Sequence, residues 1–227
     1  MGNWLFVESN GLIILTLRNN MIKVLVFDFS GVLYSSRFEK FMKSVLRLVP
    51  GLSGNKVIEA FYNKHQDYYA GLIDKNNLWS GAFYLLDIPR TKFTKINKII
   101  FEKGLFTENK YMPALIKKLS KNYKIAVLSN SAKEMELVFS TSNYYKSFTG
   151  FFWSHKENVR KPDERFYKLV EKKYKVKPSE ILFFDDKERN TNAAEKLGWK
   201  TIKFTKKIYE NESEFLKELE KAGVRVI

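Results

Sequence analysis

The chain contains no cysteine among its 227 residues, which excludes disulfide bonds, thiolate metal sites and cysteine nucleophiles. Proline and glycine are also scarce, at 5 and 11 residues, so the composition is not that of a collagen-like or linker-like chain. The most apolar stretch near the start, residues 11–17, is far shorter than the ~20 residues of a membrane-spanning helix. These absences are compatible with a reducing compartment, and we expect a cytoplasmic protein that does not bind a membrane.

Acidic residues are in the minority, because 40 lysines and arginines face 25 aspartates and glutamates and give a formal net charge of +15. Such a surplus attracts polyanions: nucleic acids, anionic membranes or phosphorylated small molecules. The basic residues are scattered along the chain, however, and no recognised nucleic-acid-binding motif accompanies them. We therefore interpret them as a solvated, lysine-rich surface and do not expect a nucleic-acid partner.

Short apolar runs alternate with amphipathic helical patterns from residue 22 onward. The runs, which are typical of strands buried on both faces of a parallel sheet, lie at 22–27, 124–128, 150–153, 181–184 and 200–204. The helical patterns between and after them lie at 112–119, 163–174, 188–197 and 212–222. This alternation predicts an α/β fold built on a doubly wound parallel sheet.

Two segments fall outside that rhythm. Residues 36–110 carry helix-like patterns and no convincing strand, which predicts an all-helical cap inserted into a core made of residues 21–35 and 111–227. Residues 1–20 form an N-terminal extension of unknown role. Asn10-Gly11 could turn a hairpin between two apolar runs, or Met21 could be the true start of the protein, and the sequence leaves both open.

Polar side chains follow three of the predicted strands. They are Asp28, Ser129 and the pair Asp185-Asp186. Ligands of open parallel sheets bind at the carboxyl ends of the strands, and several carboxylates gathered there are stable only around a cation. With Lys161 added, these groups nearly complete a phosphate-binding site.

These segments resemble, in order, the four motifs of the haloacid dehalogenase-like (HAD) superfamily, over residues 22–205. The matching segments are Asp28-Phe29-Ser30-Gly31-Val32-Leu33, Val127-Leu128-Ser129-Asn130, Lys161 before Pro162, and Phe183-Phe184-Asp185-Asp186. The stretch from Arg160 to Tyr167 is similar to the branch of sugar 1-phosphate phosphatases and of the phosphatase domain of epoxide hydrolases. The resemblance implies a Rossmann-like core with the helical cap of subfamily I.

The resemblance further implies a Mg²⁺-dependent phosphatase that hydrolyses a small phosphorylated metabolite through an aspartyl-phosphate, as a monomer or homodimer. The implied catalytic residues are Asp28, Ser30 and Lys161. The implied phosphate-binding residues are Ser129, Asn130 and Lys161. The implied metal-site residues are Asp28, the backbone carbonyl of Ser30, Asp186 as a direct ligand, and Asp185 beside it.

Ser30 departs from the family pattern, which has at this position an aspartate that serves as general acid and base. Such assistance is typically worth ~10² to 10⁴ in rate, so its loss would slow hydrolysis. Two alternatives therefore stay open. One is a catalytically weak HAD-like protein that binds a phospho-ligand, a protein or a nucleic acid. The other is a haloacid dehalogenase, although that pattern has tyrosine in place of Ser30 and needs no Mg²⁺.

Overall fold

A computed structural model describes residues 4–9, 12–17, 21–36, 38–69, 72–73, 75–100, 106–131 and 133–226. The strands are β1 (Trp4–Ser9), β2 (Leu12–Leu17), β3 (Val24–Phe27), β4 (Tyr34–Ser36), β5 (Phe106–Glu108), β6 (Lys124–Ser129), β7 (Gly150–Trp153), β8 (Ile181–Asp185) and β9 (Lys200–Lys203). The helices are α1 (Phe38–Leu48), α2 (Gly54–Tyr69), α3 (Lys75–Leu85), α4 (Arg90–Ile100), α5 (Met112–Leu119), α6 (Lys133–Ser140), α7 (Ser154–Glu157), α8 (Glu164–Tyr174), α9 (Glu188–Lys196), α10 (Lys206–Glu210) and α11 (Glu212–Lys221).

The central sheet has the strand order β7-β6-β3-β8-β9, and every neighbouring pair in it is parallel. Within this sheet, the central strand β3 comes first along the chain. The strands β6 and β7 then follow on one side of it, and β8 and β9 on the other. This confirms the predicted doubly wound α/β fold. The order reverses beside β3, and such a switch point is where ligands of these folds bind.

The strands are apolar on both faces because helices cover the sheet on both sides. Along β3, Leu25 and Phe27 pack into one hydrophobic cluster with residues of α5 and α11, whereas Val24 and Val26 pack into another with residues of α8 and α9. This alternation follows from the two-residue period of a strand. It explains the nearly continuous apolar runs from which the strands could be predicted.

The inserted segment is a group of four helices, α1 to α4, with a small hydrophobic cluster of its own. The buried members of that cluster are Val45, Val57, Leu78, Phe83, Ile88 and Ile96. The chain enters and leaves the insert through β4 and β5, which pair antiparallel from Tyr34 opposite Glu108 to Ser36 opposite Phe106. The expectation that residues 36–110 contain no strand was therefore wrong at the ends of the segment. A strand of three residues is too short to give a two-residue period in the sequence.

Before the core, β1 and β2 pair antiparallel, from Trp4 opposite Leu17 to Ser9 opposite Leu12. Their pairing agrees with the hairpin alternative, while the predicted turn Asn10-Gly11 lies outside the described residues. Among the residues that the structure describes, no helix combines the length and apolar character needed to cross a membrane.

Candidate active site

The predicted site residues converge at the carboxyl edge of the central strands. Asp28 follows β3, whose last residue, Phe27, lies opposite Val127 of β6 and Phe184 of β8. Asp28, Asp185 and Asp186 each present a carboxylate oxygen within 4.8 Å of the others. The sheet register thus gathers carboxylates from distant parts of the chain at the switch point of the fold.

Lys161 lies between two of these carboxylates. Its ammonium nitrogen Nζ is 2.9 Å from Oδ1 of Asp28 and 2.6 Å from Oδ2 of Asp185, and its side chain is only 1% exposed. Asn130 fixes the backbone of Lys161 on both sides, because its Nδ2 donates to the Lys161 carbonyl at 2.9 Å and its Oδ1 accepts from the Lys161 amide at 2.8 Å. The side chain of Asn130 is therefore engaged with Lys161. Its predicted contact with phosphate stays a prediction.

Asp185 is fully buried, and both of its carboxylate oxygens are engaged in hydrogen bonds. Besides Lys161, they accept from Nδ2 of Asn190 at 2.9 and 3.0 Å and from the amide of Lys187 at 2.8 Å. Asn190 lies on α9, and its carbonyl accepts from the hydroxyl of Tyr167 at 2.9 Å. Asp185 is thus an anchor that ties β8, α8, α9 and Lys161 together.

Asp186 has the opposite character. Its Oδ1 is buried and has no hydrogen-bond partner among the described residues, which is costly for a carboxylate oxygen unless a cation or another donor satisfies it. Gly31 lies against it, since a Cβ placed on Gly31 would be 2.7 Å from the Asp186 Cγ. Gly31 also has a φ of +88°, a left-handed conformation that favours glycine. Only glycine fits this turn without displacing Asp186.

Burial dominates the electrostatics of Asp28, which is 5% exposed. Loss of solvation raises the pKa of its carboxyl to about 6, with the attraction of Lys161 opposing the shift and the charges of Asp185 and Asp186 adding to it. Burial likewise raises the pKa of Asp186, helped by Asp185. Burial alone would lower the pKa of Lys161, but Asp185 and Asp28 outweigh it and raise that pKa. One ammonium thus faces more than one carboxylate, and the site has a surplus of negative charge.

Oxygen ligands and surplus negative charge are what a hard divalent cation requires. Oδ1 of Asp28 accepts from the amide of Phe29 at 2.7 Å and from Lys161, which leaves Oδ2 without a partner within the described part of the chain. Asp28 and Asp186 belong to the same cluster of carboxylates, and Oδ1 of Asp186 is buried without a partner among the described residues. The residues present therefore fit a metal such as Mg²⁺.

Comparison with known families decides the identity of the fold. A family model described as haloacid dehalogenase-like hydrolase matches residues 22–198, which is most of the chain. The protein belongs to this family. Membership confirms the resemblance to the haloacid dehalogenase-like superfamily, whereas the roles of the individual site residues stay predictions. A comparison with the sequences of curated proteins gives no significant match.

Solved structures of HAD enzymes share the fold at low sequence identity. One is a HAD-family enzyme of Bacteroides thetaiotaomicron in complex with magnesium and inorganic phosphate, with a TM-score of 0.68, 22% identity and coverage of 80% of this chain and 93% of that one. A predicted HAD-like hydrolase of Porphyromonas gingivalis has a TM-score of 0.64 and 18% identity, with 88% and 98% covered. The L-2-haloacid dehalogenase of Xanthobacter autotrophicus, with chloropropionic acid covalently bound, has a TM-score of 0.58 and 20% identity, with 90% and 85% covered.

Two further predicted site residues, Ser129 and Ser30, carry hydroxyl groups. Ser129, at the end of β6, is 1% exposed, and its Oγ has no hydrogen-bond partner in the described ranges. It is therefore available to donate to an anion. Ser30 is half-buried, two residues after Asp28, and forms a bridge with Tyr34 in the turn before β4. The catalytic role predicted for Ser30 stays a prediction.

Proposed function

We propose that this HAD hydrolase is a Mg²⁺-dependent phosphatase that acts on a small phosphorylated metabolite, with Asp28 as the nucleophile. The observation that carries the proposal is the pair of unpartnered carboxylate oxygens, one on Asp28 and one on Asp186, in a cluster with too little positive charge. A phosphatase that binds Mg²⁺ beside its nucleophile requires such a pair. A dehalogenase does not.

Asp28, Asp186 and the backbone carbonyl of Ser30 would hold the Mg²⁺, and Asp185 would stay in its network with Lys161. Bound there, Mg²⁺ would neutralise negative charge on the phosphoryl group and on the carboxylates. The carbonyl of residue 30 is available whether the side chain is serine or aspartate. The substitution at Ser30 therefore removes a proton donor and leaves the metal ligands complete.

The chain's own residues would carry out a double displacement. A carboxylate oxygen of Asp28 attacks phosphorus, the bond between phosphorus and the leaving oxygen breaks, and an acyl phosphate forms on Asp28. The Oγ of Ser129 and the third N–H of the Lys161 ammonium, which its two carboxylate contacts leave over, donate to phosphoryl oxygens and stabilise their charge. Water then attacks the same phosphorus, and inorganic phosphate leaves as the Asp28 carboxylate is restored.

Because residue 30 is serine, the proton for the leaving group must come from another source. An alkoxide leaving group takes up one proton as its bond to phosphorus breaks, and the hydroxyl of Ser30 is too weak an acid to supply it. The proton would come from solvent or from the cap. We therefore expect faster hydrolysis of substrates with acidic leaving groups, such as aryl phosphates, than of alkyl phosphates.

The test is turnover of a panel of phosphate monoesters with Mg²⁺ and with EDTA, for the wild-type protein and for Asp28→Asn. We expect hydrolysis that depends on Mg²⁺ and is abolished in Asp28→Asn, which keeps the size of the side chain. Chloride release from 2-chloropropionate, measured in parallel, tests the dehalogenase alternative. Full phosphatase activity of Asp28→Asn, or chloride release without phosphatase activity, would exclude the proposed function. Tight binding of inorganic phosphate without turnover would indicate the catalytically weak alternative.

A further inference from the structure

Two residues that follow β7, Ser154 and His155, hold the peptide groups of Ser131. The amide of Ser131 donates to the Oγ of Ser154 at 2.9 Å, and Nδ1 of His155 lies 2.9 Å from the Ser131 carbonyl oxygen. Ser154 is fully buried and the His155 side chain is only 13% exposed. The loop after β6 is therefore held by hydrogen bonds from the neighbouring strand's end.

The geometry assigns the proton on His155. A carbonyl oxygen can only accept a hydrogen bond, so Nδ1 must carry the hydrogen that it donates to Ser131. The other ring nitrogen, Nε2, is buried and 3.3 Å from Oε2 of Glu136, without hydrogen-bond geometry. The second oxygen of Glu136 accepts from the ammonium of Lys156 at 2.6 Å. The link from His155 to the loop therefore depends on Nδ1–H.

Ser131 ends the segment 129–131, which includes two predicted phosphate-binding residues. Ser129 pairs with Trp153, directly before the two residues that hold Ser131. Asn130, between them, holds the backbone of Lys161 through two hydrogen bonds. Both ends of the loop are thus tied to the end of β7, and the loop in turn sets the place of the ammonium that contacts Asp28.

We propose that His155 is a positioning residue for the phosphate-binding loop 129–131, with its Nδ1–H as the group that acts. This rests on the proposed function, in which Ser129 and Lys161 hold the phosphoryl group. The Ser131 carbonyl also accepts from the Ser154 hydroxyl, at the longer distance of 3.4 Å. Without the His155 donor, this buried carbonyl keeps only the longer contact, and the loop shifts to regain a second partner. The hydroxyl of Ser129 and the backbone of Lys161 then move away from the phosphoryl oxygens, although neither residue has been changed.

Two substitutions of His155 with side chains of similar size, asparagine and leucine, differ in whether they keep a hydrogen-bond donor. In His155→Asn the amide nitrogen is bonded to Cγ as Nδ1 is, so it can still donate to Ser131, whereas His155→Leu has a similar shape and no donor. Both remove the contact of Nε2 with Glu136. We expect His155→Leu to raise KM and the inhibition constant of inorganic phosphate about tenfold, the size of a typical lost hydrogen bond to a buried group, while kcat falls less than about threefold. His155→Asn should stay within about threefold of wild type in each constant.

Lys156→Ala is the matched control, because Lys156 contacts Glu136 but not the loop, and it should leave all three constants unchanged. Amide hydrogen exchange over residues 129–131 measures the loop without turnover, and the Leu variant should exchange faster than the Asn variant. Equal constants, or equal exchange rates, in the two variants would overturn the positioning role. A wild-type protein without any phosphatase activity would instead overturn the proposed function, and the exchange measurement would still decide the role of His155.

Discussion

Replacing Lys161 by methionine tests the electrostatic account of the site most directly. The lysine is 1% exposed, and its ammonium lies 2.9 Å from Asp28 and 2.6 Å from Asp185. Methionine keeps much of the length of the side chain and removes the charge. Removing one partner of a buried ion pair costs about 3–5 kcal/mol, because the charge left behind is buried and uncompensated. Since two carboxylates lose their counter-ion here, we expect a value at the upper end of that range.

The loss of folding stability in Lys161→Met should become smaller as the pH falls. Burial already raises the pKa of Asp28 to about 6 against the attraction of Lys161, so removing the lysine raises it further. The folded variant then binds a proton more tightly than the unfolded chain, and its stability relative to wild type rises as the pH falls. A protonated carboxyl needs no counter-ion. The deficit should therefore be largest near pH 7.5 and smaller at pH 5.

Urea unfolding in EDTA, at pH 7.5 and at pH 5, measures both effects. A loss of 3–5 kcal/mol corresponds to a fall in Tm of very roughly 6–20 °C for a chain of this size. Lys168→Met is the control, since Lys168 pairs with Glu164 at 3.0 Å on an exposed helix face, and such pairs are worth only about 0.3–0.5 kcal/mol. A loss below about 1 kcal/mol for Lys161→Met at pH 7.5, or a loss that grows at pH 5, would refute the reasoning.

Three further predictions concern the carboxylates and the turn beside them. Gly31→Ala should cost about 1–2 kcal/mol from its left-handed backbone alone, and it should raise the Mg²⁺ concentration for half-maximal activity by displacing Asp186. Unchanged Mg²⁺ activation would contradict this. Ser30→Asp should speed hydrolysis of alkyl phosphates but not of p-nitrophenyl phosphate. An equal ratio of mutant to wild-type kcat for both substrates would show that the proton comes from elsewhere, from solvent or from the cap. Asp185→Asn should lower the urea midpoint in EDTA, whereas Asp186→Asn should leave it unchanged or raise it and abolish Mg²⁺ activation. Equal urea midpoints for the two variants would contradict the separate roles of Asp185 in stability and Asp186 in metal binding.

Most of the core could be predicted from the sequence because a parallel sheet covered on both faces leaves a strong signal. The strand Gly150–Trp153 and the helix Met112–Leu119 lie where the apolar patterns placed them. What escaped prediction is short or weakly patterned. The strand Phe106–Glu108 has three half-buried residues, and the helix Lys206–Glu210 has little more than one turn. Contacts with neighbouring segments stabilise such elements, and their own sequences are too short to show a periodic apolar pattern.

The motifs predicted that these residues converge, and the resemblance implied Asp186 as the direct metal ligand with Asp185 beside it, but the hydrogen-bond partners of Asp185 could not be predicted. Asp185 ends β8 and Asp186 follows it, so the two are adjacent and chemically identical. Their hydrogen-bond partners distinguish them and come from elsewhere in the chain. Of the two aspartates, it is Asp185 that accepts from Lys161 and from Asn190. The two hydrogen bonds between the Asn130 side chain and the Lys161 backbone likewise join segments that are distant in the sequence. Hydrogen bonds between distant segments leave no local pattern in a sequence.

The different surroundings of Asp185 and Asp186 would account for the proposed phosphatase site, in which a lysine and a metal would lie side by side. Asp185 is saturated by Lys161, Asn190 and a backbone amide, so it keeps the ammonium at its place and has no oxygen left for a cation. With the ammonium charge balanced by Asp185, the formal charge that remains is the −2 of Asp28 and Asp186, each with an unpartnered oxygen among the described residues. A single divalent cation matches that charge without displacing the lysine. In the proposed function, the phosphoryl group, which is itself an anion, would then approach Asp28 with positive charge on two sides of it, from the metal and from Lys161.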